Sequence, residues 1–358
     1  MTDGAYDPFV RGRFPVGVRT IQVRDEARDR LFPCEVWYPA AARHAGQDLA
    51  SESQDLLTPP PGDKPRPQMA VRGAAAWPGT YPLVVFSHGS GRWHRRTATF
   101  LCTHLASHGY LVAAADHSEI VAAQLSGRAG ETDEDKAARV EAWIANRVPD
   151  IRVLLDRLAG GPGGNAWESE AQVDPLRIGI VGHSFGGWTA LAATAVDRRI
   201  RAVVALTPAG NSRPKPGIIP AKLTFDWGRD VPTLFLAAEN DTITPLAGVR
   251  ELFERTRCAK QMVILRRADH SHFVDRVEEE HETVRAMPFT GPLAWIPQEM
   301  RPITELCSGD EAHRFTRGLA VAHMDAFLRE DPEARRFLAG DVEAELARRG
   351  VAGIVQRP

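Results

Sequence analysis

Ser184 lies in Gly182-His183-Ser184-Phe185-Gly186-Gly187. The apolar run Arg177-Ile178-Gly179-Ile180-Val181 precedes it, and a helix pattern, Trp188 to Ala195, follows. A serine between glycines, at a sharp turn from a buried strand into a helix, is presented with its hydroxyl above the sheet edge. Glycines flank it because side chains would collide across so tight a turn. The first N–H groups of the helix face any negative charge that forms beside the hydroxyl. The chemistry this suits is nucleophilic attack by serine at a nucleophile elbow.

A serine hydroxyl is a weak nucleophile at neutral pH and needs a base, which in turn needs an orienting group. In an elbow of this kind the partners follow in the order acid, then histidine. They belong at the carboxyl ends of later strands, where sites form in parallel sheets. The segment Glu239-Asn240-Asp241-Thr242 follows the strand pattern 233–238 and nominates Asp241 as the acid, with Glu239 as a rival carboxylate. Ala268-Asp269-His270-Ser271-His272-Phe273 follows the strand pattern 261–265. It nominates His270 as general base, with His272 as the competitor. The two histidines and Asp269 also raise a metal site, but no further ligands with zinc spacing accompany them, so no metal or cofactor is expected. The oxyanion hole should combine the N–H of Phe185 with that of Ser90, in Ser87-His88-Gly89-Ser90-Gly91 after the strand 83–86. His88 is read as a brace for that loop. Trp93 and Trp188 are read either as pocket lining or as packing.

The elements that must hold these residues alternate between strand and helix. Strand patterns fall at 83–86, 110–117, 177–181, 200–206, 233–238 and 261–265, with helical stretches at 97–108, 134–158, 188–195 and 246–255. That alternation implies an α/β fold, with a mostly parallel central sheet and helices on both faces. Residues 16–24 and 31–39 read as an antiparallel hairpin ahead of it. Pro149 should kink or split the long helix. Gly160 to Gly164 form a hard break, and 118–133 and 208–230 read as irregular. Two larger insertions, at about 40–80 and 276–312, are rich in proline. In the first, Pro59-Pro60-Pro61-Gly62 and Pro65-Arg66-Pro67 argue against regular structure. The tail reads as two helices that part near Asp331-Pro332. All 358 residues are read as a single domain.

Composition limits the partners. The chain has 43% hydrophobic and 25% charged residues and a net charge of −2. A balance so near neutral gives no electrostatic case for nucleic acid or an anionic membrane. The pairs Arg95-Arg96, Arg198-Arg199 and Arg266-Arg267 are read as solvated surface. Four scattered cysteines suit a reducing compartment. No leader pattern or apolar span is visible, and the expected location is the cytoplasm. Nothing in the pattern sets an oligomeric state.

Tyr81-Pro82-Leu83-Val84-Val85-Phe86-Ser87-His88-Gly89, Leu105-Ala106-Ser107-His108-Gly109-Tyr110 and Gly182 to Gly187 resemble platelet-activating factor acetylhydrolases of the α/β-hydrolase type. They also resemble the bacterial relatives often labelled dienelactone-hydrolase-like. The resemblance is densest from 81 to 210. It implies an α/β-hydrolase domain, metal-free hydrolysis of carboxylic esters through an acyl-enzyme on Ser184, and a role in lipid degradation. It supports Ser90 and Phe185 as oxyanion donors, and Arg267-Ala268-Asp269-His270 aligned this way favours His270. One departure stands out. In the animal acetylhydrolases the acid ends the strand after the elbow helix, where this chain has Thr207. The stretch from Ala238 to Pro245 instead resembles bacterial cutinases and polyester hydrolases, whose acid follows the next strand. Their Ser-His-Phe segment, matched directly, points to His272. The expected substrates are short or medium acyl esters or phospholipid-like esters, with a polyester as the alternative. A non-catalytic ligand-binding protein on the same fold is the reading from a different class.

Overall fold

A computed structural model describes residues 6–58, 64–128, 130–160, 166–210, 222–289 and 293–358. Twelve strands are described: β1 (Val16–Asp25), β2 (Arg30–Pro39), β3 (Asp55–Leu57), β4 (Arg66–Gln68), β5 (Val71–Arg72), β6 (Gly79–Ser87), β7 (Leu111–Ala115), β8 (Ala171–His183), β9 (Ile200–Leu206), β10 (Thr233–Ala238), β11 (Lys260–Leu265) and β12 (Gly353–Gln356). The α-helices described are α1 (Thr99–Ser107), α2 (Ser118–Val121), α3 (Asp133–Leu158), α4 (Phe185–Val196), α5 (Leu246–Arg255), α6 (Val277–Arg285), α7 (Ile296–Glu299), α8 (Gly309–Leu328), α9 (Pro332–Ala339) and α10 (Val342–Ala347).

Ten strands form one sheet in the order β12-β11-β10-β9-β8-β6-β7-β2-β1-β5. From β11 through β7 every pairing is parallel. The β1–β2 hairpin joins antiparallel on one side and β12 antiparallel on the other. This is the mostly parallel sheet with an antiparallel N-terminal hairpin that the alternating pattern implied.

Side-chain alternation along each strand divides the core into two layers. Leu83, Val85, Ile180, Val203 and Phe235 pack with Ile151 and Leu155 of α3, Leu191 of α4 and Leu252 of α5. Val84, Phe86, Val181, Leu206 and Leu236 pack with Leu101 and Leu105 of α1 and Phe315 and Leu319 of α8. With both faces covered, the central strands read as unbroken apolar runs. Their carboxyl ends at 87–90, 183–184, 207 and 239–241 therefore lie together along one edge of the sheet.

Several details differ from the sequence reading. Residues 40–80 are not patternless: β3 and β4 pair as a two-stranded ribbon, with Pro67 opposite Leu56. A ribbon this short leaves one side of each strand unpaired, so it tolerates a proline. Pro59 to Gly62 lie outside the described residues, as do 161–164 of the glycine-rich break, 211–221 of the 208–230 stretch, and Pro292. Helix α3 runs unbroken through Pro149. The 276–312 insertion is largely helical, and the tail holds three helices before β12. Arg95 and Arg96 are not solvated surface; both reach the fully buried Glu35, and Arg95 also pairs with Asp116. No described helix is long and apolar enough to cross a membrane.

Candidate active site

The turn at Ser184 is built from close backbone approaches. Ser184 has φ 57° and ψ −119°, a region where a non-glycine residue costs about 1–3 kcal/mol unless its surroundings hold it there. Its N–H donates to Leu206 O at 2.9 Å. Its carbonyl accepts from the N–H groups of Gly187, Trp188 and Ala209 at 2.9, 3.1 and 2.9 Å. The flanking glycines are steric requirements. A Cβ on Gly182 would lie 2.0 Å from Gly186 O, and one on Gly186 would lie 1.9 Å from Ser87 O. Helix α4 starts at Phe185, and Phe185 packs its ring on Trp188 at 5.2 Å.

The loop after β6 closes on the serine from the other side. A Cβ on Gly89 would sit 3.3 Å from the Ser184 Cβ and 2.4 Å from the Trp93 ring. Trp93 in turn packs against His183 at 4.9 Å and His270 at 5.3 Å. His183 Nε2–H donates to His270 O at 3.1 Å, and the two rings lie 4.8 Å apart. His270 is thus seated against the residue that precedes Ser184.

Asp241 and His270 meet directly. His270 Nδ1 lies 2.9 Å from Asp241 Oδ2 and 3.1 Å from Oδ1. The carboxylate is held from behind: Oδ1 accepts the N–H groups of Ile243 at 2.9 Å and Thr244 at 2.6 Å. Oδ2 accepts the hydroxyls of Thr207 and Thr244. A carboxylate fixed in this way keeps the proton of a neutral His270 on Nδ1 and leaves Nε2 with a lone pair. That Nε2 is buried and has no hydrogen-bond partner among the described residues. Ser184 is itself buried.

The rival side chains face elsewhere. Glu239 accepts the N–H of Arg267 at 2.9 Å and pairs with Arg266 at 3.0 Å. His272 accepts the N–H of Asp269 on Nδ1 at 3.1 Å and donates from Nε2 to Cys307 O at 3.1 Å. Burial lowers its pKa to about 4. Asp269 caps the short 3₁₀ turn His270–Phe273 and accepts both the N–H and the hydroxyl of Thr242, at 2.9 and 3.1 Å. It thereby latches the acid loop to the histidine loop. Burial, then the charge of Asp241, raises its pKa.

Other contributors carry little sequence signal. Thr207 occupies the strand end where the resemblance places an acid, and its hydroxyl donates to the carboxylate that comes from the neighbouring strand instead. Below the Ser87–Ser90 loop lies a second serine–histidine–aspartate series. Ser87 Oγ is 2.8 Å from His117 Nε2, and His117 Nδ1 is 3.2 Å from Asp150 Oδ2. All three residues are buried, and their hydrogen bonds tie the end of β6 to α3. The N–H of His117 donates to His88 Nε2 at 3.1 Å. The only clue to Arg147 in the sequence is a charge on the apolar stripe of α3, with Ile144, Ile151 and Leu154.

The fold and this edge of the sheet make the chain a member of the α/β-hydrolase superfamily. A solved ferulic acid esterase from Streptomyces cinnamoneus superposes with a TM-score of 0.61 at 27% identity, covering 89% of this chain and 92% of its own. The profile of the family described as Chlorophyllase matches residues 51–228, which include Ser90 and Ser184 but stop short of Asp241 and His270. A platelet-activating factor acetylhydrolase from Gallus gallus is 28% identical over 218 residues, 48% of this chain and 51% of that protein. Chlorophyllase-1, chloroplastic, from Citrus sinensis is 26% identical over 299 residues, 80% of each. The chain spans about half the length or less of the acetylhydrolases it matches.

Proposed function

We propose that this protein is a serine hydrolase that cleaves carboxylic esters through an acyl-enzyme on Ser184. The observation that carries the reading is the His270–Asp241 contact, which leaves a buried, unpaired Nε2 on a ring packed beside the Ser184 turn. In this mechanism His270 Nε2 takes the Ser184 proton as Oγ attacks the ester carbonyl carbon. The carbonyl oxygen gains the charge and is met by the N–H groups of Ser90 and Phe185. Neither N–H donates to another described residue. His270 then passes its proton to the departing alcohol oxygen, and the C–O bond breaks. Water repeats the sequence, with His270 as base, to release the acid. Asp241 stays ionised throughout and steadies the imidazolium. Each oxyanion donor contributes about 3–4 kcal/mol in comparable sites.

The similar proteins named as acetylhydrolase and ferulic acid esterase support an ester as the substrate. We assign short or medium acyl esters or phospholipid-like esters. A polyester is the second reading, favoured by the placement of the acid after β10. Four free thiols, three of them buried, support a reducing compartment such as the cytoplasm as the place of action. The test is turnover of p-nitrophenyl acetate and butyrate by the purified chain, together with labelling by a fluorophosphonate. Ser184→Ala should lose both. Turnover of Ser184→Ala at the parent rate would end the proposal.

A further inference from the structure

An oxyanion donor is only as good as its direction. The N–H of Ser90 shares a peptide plane with the carbonyl of Gly89, and in a trans peptide the two point opposite ways. Whatever grips the Gly89 oxygen therefore aims the Ser90 N–H. Two donors grip it: His88 Nδ1 at 2.6 Å and Arg147 Nη2 at 3.0 Å. Arg147 Nη1 also donates to the carbonyl of His88 at 2.6 Å. One planar guanidinium thus spans two consecutive peptide units. Its central carbon lies 4.4 Å from the centroid of the Phe185 ring, the side chain of the second donor residue. Arg147 touches both halves of the oxyanion site while standing wholly behind it.

Arg147 is 0% exposed, and its charge is met by Glu119, which is also buried. Burying such a pair costs several kcal/mol per ion before the attraction is counted, and an apolar pair of similar volume often folds at least as well. The neighbours of Arg147 on α3 are Trp143, Ile144 and Ile151, with the buried Asp150 committed to His117 and Ser118. Packing alone therefore gives no reason for a guanidinium here, whereas the two carbonyls in front of it do.

We propose that Arg147, balanced by Glu119, is a positioning residue for the oxyanion site. It holds the 88–89 and 89–90 peptide planes so that the Ser90 N–H meets the oxygen that gains charge beside Ser184. The inference rests on the ester-hydrolase reading above.

Two variants test it. Arg147→Met combined with Glu119→Leu removes both members of the pair, and the nearby buried Asp150 keeps Arg28 as its cationic partner. Arg147→Lys keeps the charge but not the fork that spans both carbonyls. The readouts are kcat and KM for p-nitrophenyl acetate, the inhibition constant of an alkyl boronic acid that forms a tetrahedral adduct on serine, and Tm. In both variants kcat should fall about 10²-fold, and boronate affinity should fall with it. KM should stay within about threefold, the pattern of an interaction made only in the transition state. A folded double variant with the parent's kcat and boronate affinity overturns the proposal. A rise in KM at constant kcat overturns it too. If neither variant folds, the pair holds the fold rather than the loop, and the proposal fails. A parent with no Ser184-dependent turnover defeats the ester-hydrolase reading itself, and this inference with it. A parent that turns over while the double variant matches it defeats this inference alone.

Discussion

Replacing Asp241 with asparagine exchanges one oxygen for an amide nitrogen, and the surroundings dictate which way the amide must sit. Oδ1 accepts two backbone N–H groups, from Ile243 and Thr244, that cannot turn away. The amide oxygen must take that place. The NH₂ then faces His270 Nδ1 and the hydroxyls of Thr207 and Thr244. Hydroxyls can rotate to accept, so the loss of stability should be about 1–2 kcal/mol, the scale of one or two altered hydrogen bonds. The imidazole has a worse choice. It must accept at Nδ1, which moves its proton to Nε2 and removes the lone pair that would take the serine proton. The expected loss in kcat is about 10⁴-fold, as for the same exchange in another serine enzyme. At 1.36 kcal/mol per decade that is about 5.4 kcal/mol. No neighbouring carboxylate can substitute, since Glu239 faces Arg266 and Asp269 is spent on Thr242. The assay is p-nitrophenyl acetate turnover, with thermal unfolding in parallel. An Asp241→Asn protein that keeps a tenth or more of the parent's kcat refutes the assignment. So would an Asp241→Asn loss that Glu239→Gln reproduces.

Three further outcomes follow from the same contacts. Gly186→Ala puts a Cβ 1.9 Å from Ser87 O, so the variant should be insoluble or lose about 4 kcal/mol or more, the size reserved for severe steric faults; wild-type unfolding in urea would contradict this. Thr207→Val removes a buried hydroxyl from Asp241 Oδ2 and should cost about 1–3 kcal/mol in urea unfolding, with a smaller loss in kcat than Asp241→Asn; an equal or larger loss would make Thr207 more than a support. Burial lowers the pKa of His104 to about 3 and those of His272 and His323 to about 4. Below the unfolded value of 6.5 the unfolded chain binds protons that the folded chain refuses. Stability is then full above about pH 6.5 and should fall as pH drops toward 4, at up to about 4 kcal/mol per pH unit for three groups together. Equal urea midpoints at pH 7.5 and 5.0 would contradict that account.

Strand and helix order was legible because the central strands are apolar on both faces, and the glycine at 182 is demanded by a contact only four residues away, whereas the one at 186 is demanded by Ser87 on another strand. The candidate acid and base were narrowed to short segments, since each had to follow a strand. Within the histidine segment, sequence alone left His270 and His272 open. They differ by two positions on a 3₁₀ turn, and the partners that separate them, Asp241 and Cys307, come from 29 and 35 residues away. Pro149 does not split α3, because one proline in a long, well-packed helix does not have to break it. Pro67 misled because a two-stranded ribbon has a free side for it. Arg95 and Arg96 looked like surface because the buried Glu35 that draws them in lies 60 and 61 residues away on β2.

What the chain determined by itself was local: the alternation that builds a parallel sheet, and the steric need for glycine at 182 within the turn around Ser184. What only the tertiary structure decided was the direction in which polar groups face. The Asp241 carboxylate is turned by threonines from two loops, and the Gly89 peptide is gripped by an arginine 58 residues away. Hydrogen bonds between distant segments depend on orientation, and orientation is set only once the sheet has brought its strand ends together.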